Sequence, residues 1–108
     1  MTVANPGVID AMGLDKRTNE AVLTLIDHLE WQDIAEHTRL LAEKMNRYFG
    51  FIEAGEIYAS YPDAKGRKLR INVICSFEPT TAGLVFLEKS RNVAGEYECA
   101  LSWEHHAA

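Results

Sequence analysis

The sequence predicts an α+β domain, a two-layer sandwich of a four- or five-stranded mixed sheet with one long and one short helix packed on one face. Three observations carry this. From Asp33 onward, Ile34, His37, Leu41, Met45, Tyr48 and Ile52 recur at steps of three or four, the period of an amphipathic helix. Leu69, Ile71, Val73, Cys75 and Phe77 alternate with Arg70, Asn72, Ile74 and Ser76, the period of a strand with one apolar face. At the far end Tyr97, Cys99, Leu101 and Trp103 alternate with Glu96, Glu98, Ser102 and Glu104, as on an edge or half-exposed strand.

In order along the chain, residues 1–7 (MTVANPG) end in Pro-Gly and read as an irregular lead-in. Val8 to Met12 form a short apolar segment, and GLDKRTNE after it is polar enough for a turn, so the first strand is expected to end there. In Ala21 to Trp31 two periods compete. Val22, Leu25, Ile26 and Leu29 fit a helical stripe, whereas Leu23, Leu25, Leu29 and Trp31 fit an alternating strand. The following Asp33-Ile34-Ala35-Glu36 is a capping box that starts a new helix, which makes VLTLIDHLEW the strand before it. That helix should run to about Glu53, with Gly55 as its stop and Gly50 a place for fraying.

Pro62-Asp63-Ala64-Lys65-Gly66 is turn chemistry, so GEIYASYPDAKGRKLRINVICSF holds a hairpin or a single strand. Pro79 suits the first turn of a second helix, with Ala82, Val85, Phe86, Lys89 and Val93 as its stripe and an end near Gly95. A strand through GLVFLEK is the alternative for residues 80–93. Residues 105–108 read as a flexible tail. The expected core includes Leu41, Met45, Ile52, Ile71, Val73, Phe77 and Leu101.

At 108 residues, 47% apolar and 25% charged, the chain has the composition of one ordinary globular domain. No run approaches the roughly 20 apolar residues of a membrane span. MTVANPGVID lacks the basic start and apolar run of a signal peptide, so a cytoplasmic location is expected. Cys75 and Cys99 are expected to be buried, reduced thiols. The formal charge of −5 argues against nucleic acid as partner. Acids gather in two strips. From Thr18 to Thr38 there are Glu20, Asp27, Glu30, Asp33 and Glu36 with no Lys or Arg, and after Arg91 come Glu96, Glu98 and Glu104 with no base. The dense basic cluster Lys65, Arg67, Lys68 and Arg70 surrounds a turn and lacks interleaved aromatics, as a solubilising strand end does.

The stretches VIDAMGLDKRTNEAVLTLIDHLEW, LLAEKMNRYFGFIEAGEIY and YPDAKGR resemble a family of small bacterial proteins classed as a domain of unknown function. The resemblance rests on an Asp-His-x-x-Trp strand end (Asp27, His28, Trp31), a Glu-Lys-x-Asn-x-Tyr helix (Glu43, Lys44, Asn46, Tyr48), Gly55-Glu56-Ile57, and Tyr61-Pro62-Asp63. It covers about residues 8–78. It implies no established activity, and it implies genes that lie beside secreted toxins.

On an alternating strand Asp27 shares its face with Leu23 and Leu25, while His28 and Glu30 point the other way. His37 is likewise the odd residue on the apolar stripe of the next helix. The two are expected to satisfy each other as a buried structural pair. A catalytic Asp-His pair would need a nucleophile and an oxyanion turn that the sequence does not place. Asp27, His28, Glu30 and His37 have the side chains of metal ligands, but not their spacing, and His105-His106 beside Glu104 reads as a solvated tail. Glu43, Lys44, Asn46 and Arg47 read as a solvated helix face, with Tyr48 and Phe49 in the core. Catalytic residues, metals and cofactors are therefore expected to be none.

What remains is a non-catalytic binder of another protein, in concrete form an immunity-type inhibitor of a basic toxin domain. Its contact residues would be Glu20, Glu30, Trp31, Asp33, Glu36, Glu96, Glu98 and Glu104, gaining association rate by electrostatic steering. A monomer or a homodimer is expected. The alternative is a small-molecule or regulatory binding domain, possibly dimeric through the last strand. An enzyme using Asp27, His28 and His37 comes third.

Overall fold

The structure, a computed structural model, describes residues 9–106, so the expected lead-in at 1–7 lies outside the described residues. Four strands and three helices follow in the order β1 (Ala11–Asp15), β2 (Glu20–Asp27), α1 (Ile34–Glu53), α2 (Glu56–Ser60), β3 (Leu69–Cys75), α3 (Thr81–Glu96) and β4 (Cys99–His105). The sheet order is β1-β2-β3-β4, antiparallel between β1 and β2 and parallel at the other two pairings. Ala21, Leu23, Leu25 and Asp27 of β2 and Leu69, Ile71, Val73 and Cys75 of β3 are buried under α1 and α3, and their neighbours on the other face are half-buried. This is the mixed α+β sandwich that the periodicities predict. No helix among the described residues is long and apolar enough to cross a membrane.

The boundaries shift where side chains compete with strand pairing. β1 takes in Gly13-Leu14-Asp15 because these residues pair with Val22, Ala21 and Glu20, and the turn shrinks to Lys16–Asn19. That turn is closed by Asp15 Oδ1, which accepts from Arg17 N at 2.9 Å, and by Asn19 in the left-handed region at φ 65°. β2 ends at Asp27 rather than Trp31, because Asp27 Oδ1 accepts from Leu29 N at 3.1 Å and turns the chain. Asp33 caps α1 as predicted, with its carboxylate accepting from Glu36 N, and Gly55 follows the helix at φ 75°.

GEIYASY is the short helix α2 with a single 3-10 turn at Pro62–Ala64, not a strand of a hairpin, since Tyr61 N donates to Ile57 O and Ala64 N to Tyr61 O. Residues 81–93 are helical, with Thr80 before them. Thr80 is the cap, its hydroxyl accepting from Gly83 N, which leaves Pro79 just outside α3. The buried side of α3 is Gly83, Leu87, Ser90 and Ala94, and the expected stripe of Ala82, Val85, Lys89 and Val93 is exposed, with Phe86 half-buried. Small residues win that face because they let the helix settle against Trp31 and the sheet. Phe77 is 41% exposed, since β3 has ended and alternation no longer governs it, whereas Leu41, Met45, Ile52, Ile71, Val73 and Leu101 are buried. β4 continues through His105, one residue into the expected tail at 105–108, and His106 N still donates to Cys75 O, while residues 107–108 lie outside the described residues.

Candidate functional site

The acids do not form two strips in space. Glu20 stands at the start of β2, and Glu30, Asp33 and Glu36 lie beyond its end, with the strand, about 25 Å at about 3.3 Å per residue, between them. Asp33 is occupied as the α1 cap, and Glu36 is bound to Arg39 with Nε to Oε1 at 2.8 Å. Trp31 is no surface anchor. It is 8% exposed, stacked on His37 at 3.8 Å between ring centroids, and its Nε1 donates to Phe77 O at 3.2 Å. Glu104 sits on the uncovered face of the sheet. A hydrogen bond from Asn72 at 2.9 Å, with a contact to His106, holds its carboxyl below the usual range.

Glu20, Glu96 and Glu98 do come together. With Glu53, at the end of α1, they line a groove of about 890 Å³ where β2, β3 and β4 begin. Its walls include Ile52, Tyr58 and Tyr97. Tyr97 is set by stacking on Phe49, at 4.8 Å between centroids and 3° between planes. The chain enters β4 through Glu98 at φ 56°, a left-handed conformation that turns the backbone sharply after α3. Glu53 and Glu96 are the last residues of α1 and α3, whose carbonyl ends add negative potential to that of the carboxylates. Two bases also line the groove. Arg67 is held by Asp63 O at 2.8 Å and by Asn19, and Lys68 is exposed. Glu20 is tied to Arg70 at 3.0 Å, which leaves Glu53, Glu96 and Glu98 as the exposed carboxylates of the rim.

At the opposite end of the parallel strands, the structure brings Asp27 and His37 together. Nε2 of His37 lies 2.6 Å from Asp27 Oδ2, both side chains are essentially inaccessible, and His37 Nδ1 lies 3.2 Å from Glu30 O. Each ring nitrogen thus faces an oxygen acceptor, and a ring protonated on both satisfies both. Cys75 is the β3 partner of Asp27 in the sheet. Burial, and then the charge of Asp27, push its thiol up to about 12, so at neutral pH it is a thiol and not a nucleophilic thiolate. Neither the groove nor the shallower concavity on the open sheet face is lined by Asp27, His28 or His37. His28 is exposed. Among the described residues no group of three or more His, Cys, Asp or Glu side chains is arranged to hold a metal ion.

One polar cluster escapes the periodicity argument. Lys44 is fully buried instead of lying on a solvated face, and its Nζ reaches Asp10 Oδ1 at 2.9 Å. Asp10 Oδ2 accepts from Ile26 N at 2.8 Å, Asp10 N donates to Tyr48 Oη at 3.0 Å, and Tyr48 Oη donates to Thr24 O at 2.6 Å. Lys44 stands seven residues after His37, three after Leu41 and four before Tyr48, so its place on the buried stripe was readable from spacing. Its charge argued the other way.

A family model described as a family of unknown function, DUF6572, matches residues 1–107. The chain belongs to that family. In this DUF6572 domain the match runs through α3 and β4, beyond the residues that carry the sequence resemblance, and so takes in the whole rim of the groove. No curated protein and no solved structure matches the chain.

Proposed function

We propose that the domain is a non-catalytic protein-binding module of the cytoplasm, in its most concrete form an immunity-type inhibitor that receives a basic segment of a toxin in the groove. The observation that carries this reading is the convergence of Glu20, Glu53, Glu96 and Glu98 with Tyr58 and Tyr97 around one concavity. Carboxylates at a rim steer a cationic partner, and tyrosines beside them supply contact area at low entropic cost. The ionisable residues that would suit catalysis, Asp27, His37 and Cys75, are withdrawn from solvent, which favours binding over chemistry.

The test is co-expression with the products of adjacent reading frames, followed by titration of any purified pair. Glu53→Lys with Glu96→Lys should weaken the complex at least about tenfold and flatten its loss of affinity with salt, whereas Glu30→Lys should do neither. An unchanged affinity in the double variant would remove the groove from the interface. A second reading, a small-molecule or regulatory domain, is favoured by the volume of the groove, which falls within the usual range for small ligands, roughly 300 to 1,000 Å³. Adjacent metabolic genes, and a rise in melting temperature with their metabolites, would support it instead.

A further inference from the structure

The sheet is finished differently past the end of β1 and along β4. Where β1 stops at Ala11, the next free donor of β2, Ile26 N, is taken by the Asp10 carboxylate, and Tyr48 donates to Thr24 O. Among the described residues, nothing is bonded in this way to the outer edge of β4. His106 N donates to Cys75 O at 2.9 Å, which fixes the alternation along the strand. Ala100, Ser102 and Glu104 turn their backbone polar groups toward β3, while Cys99, Leu101, Trp103 and His105 turn theirs outward. The strand has an unbroken register with β3, so proline, lysine and a bulge, three of the devices that keep an edge from pairing, are missing from it. Above it, Arg91 lies over Trp103 at 4.5 Å, which places the Arg91 flank of α3 on this side. Leu84 and Glu88, seven and three residues earlier, share that flank, and Leu84 is 41% exposed.

We infer that two copies of this chain associate about a two-fold axis through antiparallel pairing of β4 with β4, forming one continuous sheet with the α3 flanks side by side. Charge and overlap select the register. With Ser102 on the axis, Leu101 pairs with Trp103 of the partner subunit and Cys99 with His105 of the partner subunit, so every outward group of Cys99–His105 finds a partner. Ala100 then faces Glu104 of the partner subunit, and Glu98 faces His106 of the partner subunit. With Leu101 on the axis instead, Glu98 would face Glu104 of the partner subunit, a like-charge pair repeated on both sides. This inference is independent of what the groove receives.

Sedimentation equilibrium of the full chain over a wide concentration range should show a monomer–dimer equilibrium. Ala100 is exposed, so its variants leave the fold intact, which circular dichroism checks. Ala100→Glu should weaken the dimer about tenfold by opposing Glu104 of the partner subunit twice, and Ala100→Lys should preserve or tighten it. Ser102→Cys should cross-link under mild oxidation, since directly opposed residues of a non-hydrogen-bonded pair lie about 4.5 Å apart at Cα, within disulfide range. A chain that stays monomeric overturns the proposal. So does a dimer that ignores Ala100→Glu and whose Ser102→Cys variant does not cross-link. Glu53→Lys with Glu96→Lys should leave the dimer unchanged, which separates this result from the fate of the groove.

Discussion

A methyl group on Gly83 would lie 2.8 Å from Cε3 and 2.9 Å from Cζ3 of Trp31, so the indole fills the space that a side chain on α3 would need. Gly83→Ala should therefore destabilise by about 1 to 3 kcal/mol of overpacking, less up to about 1 kcal/mol regained in helix propensity. Gly50, inside α1 with nothing near its added methyl, is the control. Gly50→Ala should stabilise by about 0.5 to 1 kcal/mol. Urea unfolding of the two variants tests the contrast, and equal shifts would contradict the contact.

The buried Asp27–His37 pair should behave as a unit. Removing either side leaves the other without its partner, at about 3 to 5 kcal/mol if both are charged, and the double variant should cost less than the sum of the singles. His28→Ala, at an exposed position, should change stability by no more than about 0.5 kcal/mol. Additive effects in a denaturant double-mutant cycle would show that the contact carries no coupling.

Lys44 and Asp10 make the second buried pair. Lys44→Met alone strands the Asp10 carboxylate and should cost about 3 to 5 kcal/mol. Lys44→Met with Asp10→Asn should recover part of that loss, because the amide oxygen can still accept from Ile26 N. A double variant no more stable than Lys44→Met would mean that Asp10 is tolerated unpaired.

Alkaline pH should destabilise the fold before it labels the thiols. Burial pushes Cys75 up to about 12 and Cys99 up to about 11, and raises the Tyr48 hydroxyl as well. Groups raised in the folded state contribute stability that is full below their unfolded pKa, about 8.5 for a thiol, and is lost as pH rises toward the folded values. Melting temperature should fall from about pH 9 upward, and Cys75→Ala should flatten that slope. Disulfide-exchange reagents at pH 8 should react slowly with the native protein and at once in denaturant.

The sandwich, the long helix α1, the existence of a helix at α3 and the contact between Asp27 and His37 were legible because each rests on a period, a cap or one polar residue set in an apolar face. Phe77 and the tail of β2 were misread because a strand pattern does not reveal where a side chain such as Asp27 turns the chain. The stripe of α3 was misplaced because hydrophobicity favours Val85 and Val93, whereas close approach to Trp31 selects Gly83 and so turns Leu87, Ser90 and Ala94 inward with it. The groove was half legible. Glu20, Glu96 and Glu98 were singled out by sign of charge, but Glu53 and Tyr58 join them only through long-range packing.

The Asp10 carboxylate that holds Ile26 N–H gives one amide an unusual sensitivity. Its exchange with solvent deuterium is governed by the seating of a single side chain ahead of β1, not by the ladder that protects Leu23 and Leu25. A brief release of that segment would expose Ile26 while the rest of β2 stays protected. Ile26 is therefore a built-in reporter of local opening at this margin of the sheet.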